Sequence, residues 1–201
     1  MKERRNSKIQ IIEKPEWISW DDIHEIIWAA HAENRGKGIF MKYPTLPGHV
    51  IEEKMKEGKM FVAIDDTKLV GTAGVIIKEK VSWYGNGTFA YCLLDSVLPD
   101  YNGQGIYKQL SVKREELVKE LGITRLLIDT HENNSHELDI LRKNGYKSVD
   151  YKFYNDHYNV VLVKWLDGCP YADSYIKWQF LIHKWYRKLR YKRGIIKRFG
   201  I

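Results

Sequence analysis

The chain has 201 residues, 44% of them hydrophobic and 13% aromatic, enough for one ordinary domain with a sizeable core plus a short appendage, and too apolar for disorder throughout. Its two cysteines, Cys92 and Cys169, form no CxxC or Cys/His ligand set, so no metal is expected and the setting reads as reducing and cytoplasmic. The net charge of +7 is unevenly spread: residues 169–201 carry nine Lys/Arg and one acid, a net +8, whereas the rest carries 24 basic and 25 acidic residues, a net −1. Basicity therefore belongs to the tail, and two units are expected, a domain over 1–168 and a basic helical extension over 169–201.

In chain order, Met1–Lys14 holds only the short apolar run Ile9–Ile12, which is no signal-peptide core, and no later stretch approaches a membrane span. Lys8–Ile12 alternates weakly and predicts a first strand. Ser19 followed by Trp-Asp-Asp reads as a capped helix start, with Ile23, Ile26, Ile27 and Ala30 as its apolar stripe. Arg35–Gly48 reads as an irregular loop, and Val50–Glu57 as a short helix stopped by Gly58. Met60–Ile64 and Leu69–Ile77 are strands joined by an Asp65-Asp66 turn. Tyr84-Gly-Asn-Gly-Thr88 is a hairpin signal before the strand Phe89–Val97. A loop at Leu98–Asn102 leads to a helix over Gly105–Leu121, with Ile106, Leu110, Leu117 and Leu121 on its apolar face. Arg125–Ile128 is a buried strand, Asn134–Lys143 a helix, and Tyr146–Tyr154 and Tyr158–Val163 two strands around the turn at Asn155-Asp156-His157. The order predicts a mixed α/β domain, α+β in character, with a mostly antiparallel sheet and helices on both faces.

The informative segment is Ser96-Val-Leu-Pro-Asp-Tyr-Asn-Gly-Gln-Gly-Ile-Tyr-Lys108. A strand ends, a loop with two close glycines follows, and an amphipathic helix begins. First-turn amides of a helix have no internal partner and carry the positive end of the dipole, and glycines let an anion approach them. Gly103 and Gly105 can simply shape a turn. They can also open a dinucleotide site, since Asp129 follows Gly105 by 24 residues, but Lys108 stands where that fingerprint needs its third glycine. The third reading is an acyl-CoA site.

Here the residues resemble the GNAT N-acetyltransferases. Asn102-Gly-Gln-Gly-Ile-Tyr107 falls on that family's phosphate loop, Q/R-x-x-G-x-G/A, and Val97-Leu-Pro-Asp-Tyr101 on the end of its preceding strand. Asn134 through Gly145-Tyr146 falls on its second motif. The resemblance implies acetyl-CoA as acyl donor and direct attack by an amine. It assigns the cofactor to the backbone near Ser96, Val97 and Leu98, to Asn102, Gly103, Gln104, Gly105, Ile106, Tyr107 and Lys108, and to Asn134. The amide near Val97 becomes the oxyanion donor. Three departures stand out: Asn102 replaces the usual Arg or Gln, Tyr107 must turn away from the diphosphate, and Leu141 occupies the place of a frequent tyrosine acid.

Asp95, alone among apolar neighbours and sharing a strand face with Tyr91 by period-two alternation, is the first choice for a base. His131 is the second candidate, and Tyr151, Tyr154 and Tyr158 are alternatives for the missing acid. The acceptor is expected to be a small-molecule amine or amino sugar. In the tail, Trp178, Leu181, Ile182, Trp185 and Leu189 make an apolar stripe with Lys184, Arg187, Lys188 and Lys192 off it. That pattern fits packing of the tryptophans on the domain with the lysines in water. It also fits an anionic membrane surface at the inner membrane face, and less well nucleic acid. A GNAT-fold aminoacyl transferase using charged tRNA and a catalytically silent CoA- or RNA-binding module are the competing functions.

Overall fold

A computed structural model describes residues 9–39, 42–154 and 157–192, without the side chains of Tyr191 and Lys192. Expectations that fall on Lys8, on the turn residues Asn155 and Asp156, and on Arg193, Lys197 and Arg198 lie outside the described residues. A seven-stranded sheet runs in the order β1 (Gln10–Glu13), β2 (Gly58–Asp65), β3 (Lys68–Lys80), β4 (Gly87–Val97), β5 (Arg125–His131), β7 (His157–Trp165), β6 (Lys147–Tyr154). Every pairing is antiparallel except β4 with β5.

Helices cover both faces. On one side α1 (Trp20–Ala30) and α3 (Gly48–Met55) bury Ile23, Ile27, Ile51 and Met55 against Val62, Ile76, Leu93 and Leu94. On the other, α4 (Ile106–Glu120) and α5 (Ser135–Lys143) bury Ile106, Leu110, Val118, Leu138 and Leu141 against Ala73, Val75, Ala90 and Cys92. Ser19 caps α1 through a capping box: its Oγ accepts the Asp22 amide at 3.0 Å, and Asp22 accepts the Ser19 amide at 2.8 Å. The Arg35–Gly48 region is not wholly irregular, since α2 (Ala32–Gly36) and a 3₁₀ turn at Tyr43–Thr45 interrupt it. Gly58 begins β2 rather than merely stopping a helix. Leu121 is 55% exposed, so the buried stripe of α4 runs instead through Ile106, Leu110, Arg114 and Val118, four residues apart.

The last helix, α6 (Asp173–Lys192), packs on β6 in the orientation opposite to the self-packing expected from its stripe. Ile176 is buried among Tyr84, Phe89, Leu127, Val149, Val161 and Val163. His183 stacks on Trp83 at 6.1 Å and lies 3.4 Å from Asp150, and Arg187 lies 3.8 Å from the same carboxylate. Lys188 sits 3.6 Å from Glu132 and, with Lys184, over the Tyr151 ring. The domain face here offers carboxylates and ring faces, which suit cations better than indoles. Trp178 and Trp185 are therefore left 59% and 65% exposed, alongside Leu181 and Ile182. No helix among the described residues is long and apolar enough to cross a membrane.

Candidate active site

The Pro99–Tyr101 3₁₀ turn delivers the chain to Gly103 and Gly105, both at φ +77°, a conformation that glycine reaches without Cβ strain. Gly105 caps α4 with no side-chain bond, and the first helical bond is Gln109 N–H to Gly105 O at 3.1 Å. The amides of Ile106, Tyr107 and Lys108 thus have no acceptor within the helix. Asn102 through Gly105 and Lys108 are exposed, and no atom comes within 4 Å of a Cβ built on either glycine. Tyr107 turns inward against the α4–α5 core, as the expected departure required. Gln104 Nε2 donates to Asp100 O at 3.3 Å.

Beside this helix start the sheet opens. β4 and β5 pair only at Ala90 with Leu126 and Tyr91 with Leu127, then diverge toward Val97 and His131. Leu98 N–H is spent on Val70 O at 2.9 Å, so by antiparallel alternation the Val97 N–H faces the β5 side, into the gap. Ser96 turns its buried hydroxyl to His31 Nε2, 3.2 Å away. Burial lowers His31 to a pKa of about 4, so the ring is neutral near pH 7.

Asp95 is not where period-two alternation puts it. Leu94 has φ +61°, and the β3–β4 register shifts between Thr72 and Gly74, a bulge that inserts one residue into β4. Leu93 and Leu94 both face α1 and α3, and Asp95 is thrown to the face opposite Tyr91. There Arg114, fully buried, donates Nη1 to Asp95 Oδ1 at 2.5 Å and Nη2 to Oδ2 at 3.0 Å. Burial pushes the Asp95 carboxyl up, and the guanidinium fork opposes that push. Both oxygens are committed, so Asp95 serves as an anchor for α4 rather than as a free base. The i, i+4 steps from Ile106 through Arg114 to Val118 carried the signal for this pair; a cation in a buried stripe was the part not read.

On the other face a cleft of about 920 Å³ is lined by β4, β5, the β6–β7 end and the Lys42–Leu46 segment, and it reaches the gap. Tyr91 donates its hydroxyl to Asp129, whose other oxygen accepts from Asn159 Nδ2 at 2.7 Å. His131, the last residue of β5, is buried and stacks on His157 at 4.7 Å. Its Nδ1 accepts the Asn133 amide at 3.0 Å, which places a ring proton on Nε2. In that tautomer its Nε2–H is a donor. Asn134 caps α5 and is itself buried: Oδ1 accepts the Glu137 amide at 3.4 Å, and Nδ2 donates to Glu137 Oε2 at 2.6 Å. Tyr151 is buried beneath α6, and of the three tyrosines named as alternative acids only Tyr154 lines the cleft. Leu141 lies fully buried in the core and offers no proton.

Glu137 was missed. It lines the cleft, with Oε2 taking the Thr130 hydroxyl at 2.5 Å as well as Asn134, and burial raises its pKa to about 7. Its spacing from Asn134 gave a reason to see a helix cap and nothing more.

Residues 20–146 match the Acetyltransferase (GNAT) family, more than half of the chain. The chain belongs to this family. Solved structures that resemble this GNAT chain include the PaiA N-acetyltransferase of Thermoplasma acidophilum in complex with coenzyme A (20% identity, covering 79% of this chain and 99% of that one, TM-score 0.57). Two others are an acetyltransferase of the GNAT family from Staphylococcus aureus (18%, 79% and 99%, TM-score 0.60) and an acetyltransferase from Streptococcus agalactiae (18%, 79% and 98%, TM-score 0.59). No curated protein sequence matches the chain. The glycine-flanked start of α4 and the open β4–β5 edge fit the diphosphate and pantetheine arm of coenzyme A.

Proposed function

We propose that this GNAT protein is an acetyl-CoA-dependent N-acetyltransferase that acylates the primary amine of a small molecule or amino sugar. One observation carries this: the anion-accepting start of α4 adjoins a gap in the sheet that opens into a separate cleft, so donor and acceptor can meet from opposite sides. Acetyl-CoA, when bound, supplies the activated carbonyl and the leaving thiol. The amides of Ile106, Tyr107 and Lys108, flanked by Asn102, Gly103, Gln104 and Gly105, hold the diphosphate. The backbone of Ser96, Val97 and Leu98 lies along the pantetheine path, with Val97 N–H aimed at the carbonyl oxygen that gains charge. Glu137, its Oε2 fixed by Thr130 and Asn134, takes the amine proton, and its pKa of about 7 suits that task near neutral pH. His131 Nε2–H orients the acceptor. Asp95 supports the site by anchoring α4, and Asn134 by fixing Glu137.

Release of free thiol from acetyl-CoA with a panel of amines, alongside calorimetry, tests this. Binding of acetyl-CoA with amine-dependent thiol release is expected, and both are expected to vanish in Gly105→Glu, whose carboxylate meets the helix start in open space. Binding without turnover across the panel would favour a silent module, and binding of charged tRNA alone an aminoacyl transferase.

The outer face of α6 supports a peripheral role for residues 169–201 at an anionic membrane surface. Trp178, Leu181, Ile182 and Trp185 form an exposed apolar face on a segment of net +8, of which Lys184, Arg187 and Lys188 are turned to the domain. Two copies docked through this face would bring two such charges together, which disfavours self-association, whereas each nearby basic residue gains about 1 kcal/mol from anionic lipid. Flotation with phosphatidylglycerol-containing vesicles is expected to carry the protein, and pure phosphatidylcholine or Trp178→Ala/Trp185→Ala to leave it behind. Equal partitioning into both vesicles, a concentration-dependent dimer, or RNA binding through this face would overturn the membrane role.

A further inference from the structure

Five lysines line the acceptor cleft: Lys42 beside the Tyr43–Thr45 turn, Lys54 on α3, Lys78 and Lys80 on β3, and Lys152 on β6. Among the described residues none of them pairs with a carboxylate. Of the four acids that share the cleft, Asp95 is paired with Arg114, and the other three accept from neutral donors. Glu79 accepts the Thr88 hydroxyl at 2.5 Å, Asp129 accepts from Tyr91 and Asn159, and Glu137 from Thr130 and Asn134. Elements distant in sequence thus converge five ammonium groups on one hollow, none of them in a direct ion pair among the described residues, with Asp129 and Asp150 acting on Lys80 from a distance. Lys78 is held over the Tyr91 ring at 5.1 Å, and Lys80 donates to the Tyr84 hydroxyl, so two of the five are steadied rather than trailing in solvent.

Lys78 and Lys80 are too far along the sheet to grip the coenzyme diphosphate at α4. Lys78 stands opposite Phe89 and Lys80 opposite Gly87, whereas the phosphate-accepting turn follows Val97. Eight residues of strand span roughly 26 Å. Their charge therefore belongs to the acceptor end of the site.

We propose that Lys42, Lys54, Lys78, Lys80 and Lys152 form an anion-binding subsite, and that the acceptor is an amine carrying a phosphate or carboxylate group. This rests on the acyltransferase reading for the word acceptor, but the anion site stands on its own geometry. Lys152 lies level with His131 at the open end of β5, both opposite Asn159, whereas Lys78 lies over Tyr91 farther from the gap, so the subsite meets anions at short as well as longer reach from the amine. The lysines' own titration agrees. Burial first, then Lys78 and Lys42, lowers Lys54, and burial first, then Lys152, lowers Lys80 to about 8 against the opposing pull of Asp150 and Asp129.

The test separates the anion site from catalysis. Calorimetry on the protein preloaded with coenzyme A would compare glucosamine with its phosphate, a nucleotide-linked amino sugar with its free sugar, and an amino acid with its amide. The same titrations on Lys54→Met/Lys78→Met, whose side chains are exposed and whose loss leaves the core intact, complete the set. The anionic member of a pair is expected to bind at least about tenfold more tightly, with an advantage that shrinks as salt rises and disappears in the double variant, while acetyl-CoA affinity is unchanged. The phosphate and carboxylate pairs show which anion is preferred. Equal binding within every pair, or an advantage that survives the double variant, would overturn the subsite. Selective binding without acetyl transfer to any amine would instead retain the subsite and defeat the acetyltransferase.

Discussion

Glu137 is the residue on which the proposed chemistry turns. Its carboxyl is raised to about 7 by burial, so it is largely protonated at pH 6 and largely ionised at pH 8. As a base it is active only when ionised, so kcat/KM should rise with pH through a limb centred near 7. Glu137→Gln is expected to remove that limb and to slow turnover by about 10²–10⁴-fold while acetyl-CoA affinity stays within about twofold. A variant that keeps the limb would return proton transfer to another group. The same raised pKa makes Glu137 favour the folded state fully below its unfolded value of 4.5, a contribution lost as pH rises through about 7. In the sequence Glu137 was one acid among many. Only the meeting of Thr130 at the end of β5 with Asn134 at the start of α5 singles it out.

Among the elements, α6 shows how a stripe can be read correctly and faced wrongly. The helical spacing of Trp178, Leu181, Ile182 and Trp185 is real, yet Ile176, His183 and Arg187 make the contact with the sheet. Stability measurements distinguish the two faces. Ile176→Ala should cost about 2–5 kcal/mol, the usual range for emptying a buried aliphatic site, whereas Trp178→Ala should stay within about 0.5 kcal/mol by chemical denaturation. A large loss at Trp178 would mean that the tryptophans pack on the domain after all. The start of α4 is the opposite case, because its two glycines and its following amphipathic run are local features, and local features are legible.

Across the whole molecule, the Asp95–Arg114 pair fastens α4 to β4 at the point where β4 leaves β5, and so sets the helix start relative to the gap. Arg114 also donates to Gly74 O at 3.2 Å, tying the helix to β3. Arg114→Met strands a buried carboxylate and should cost about 3–5 kcal/mol, whereas Asp95→Leu/Arg114→Met should recover most of that loss. Equal destabilisation of single and double variants would show that the pair does not act as a unit. Some of the charge pattern was legible, since the +8 of residues 169–201 is plain in the composition. The five cleft lysines were not, because they arrive from segments up to 110 residues apart and meet only once the sheet is assembled.

What the sequence by itself determined was the order of strands and helices, the glycine-flanked helix start with its free amides, the helix caps and the segregation of basic charge. Each of these is set within a few residues, by backbone preferences, unsatisfied amides or composition. The tertiary structure alone decided which face of Asp95's strand looks into the cleft, since one bulged residue at Leu94 reverses the phase of alternation from there on. It also decided which side of α6 meets the sheet: periodicity fixes a direction about a helix axis, and only the carboxylates and rings on the facing surface select what lies against it.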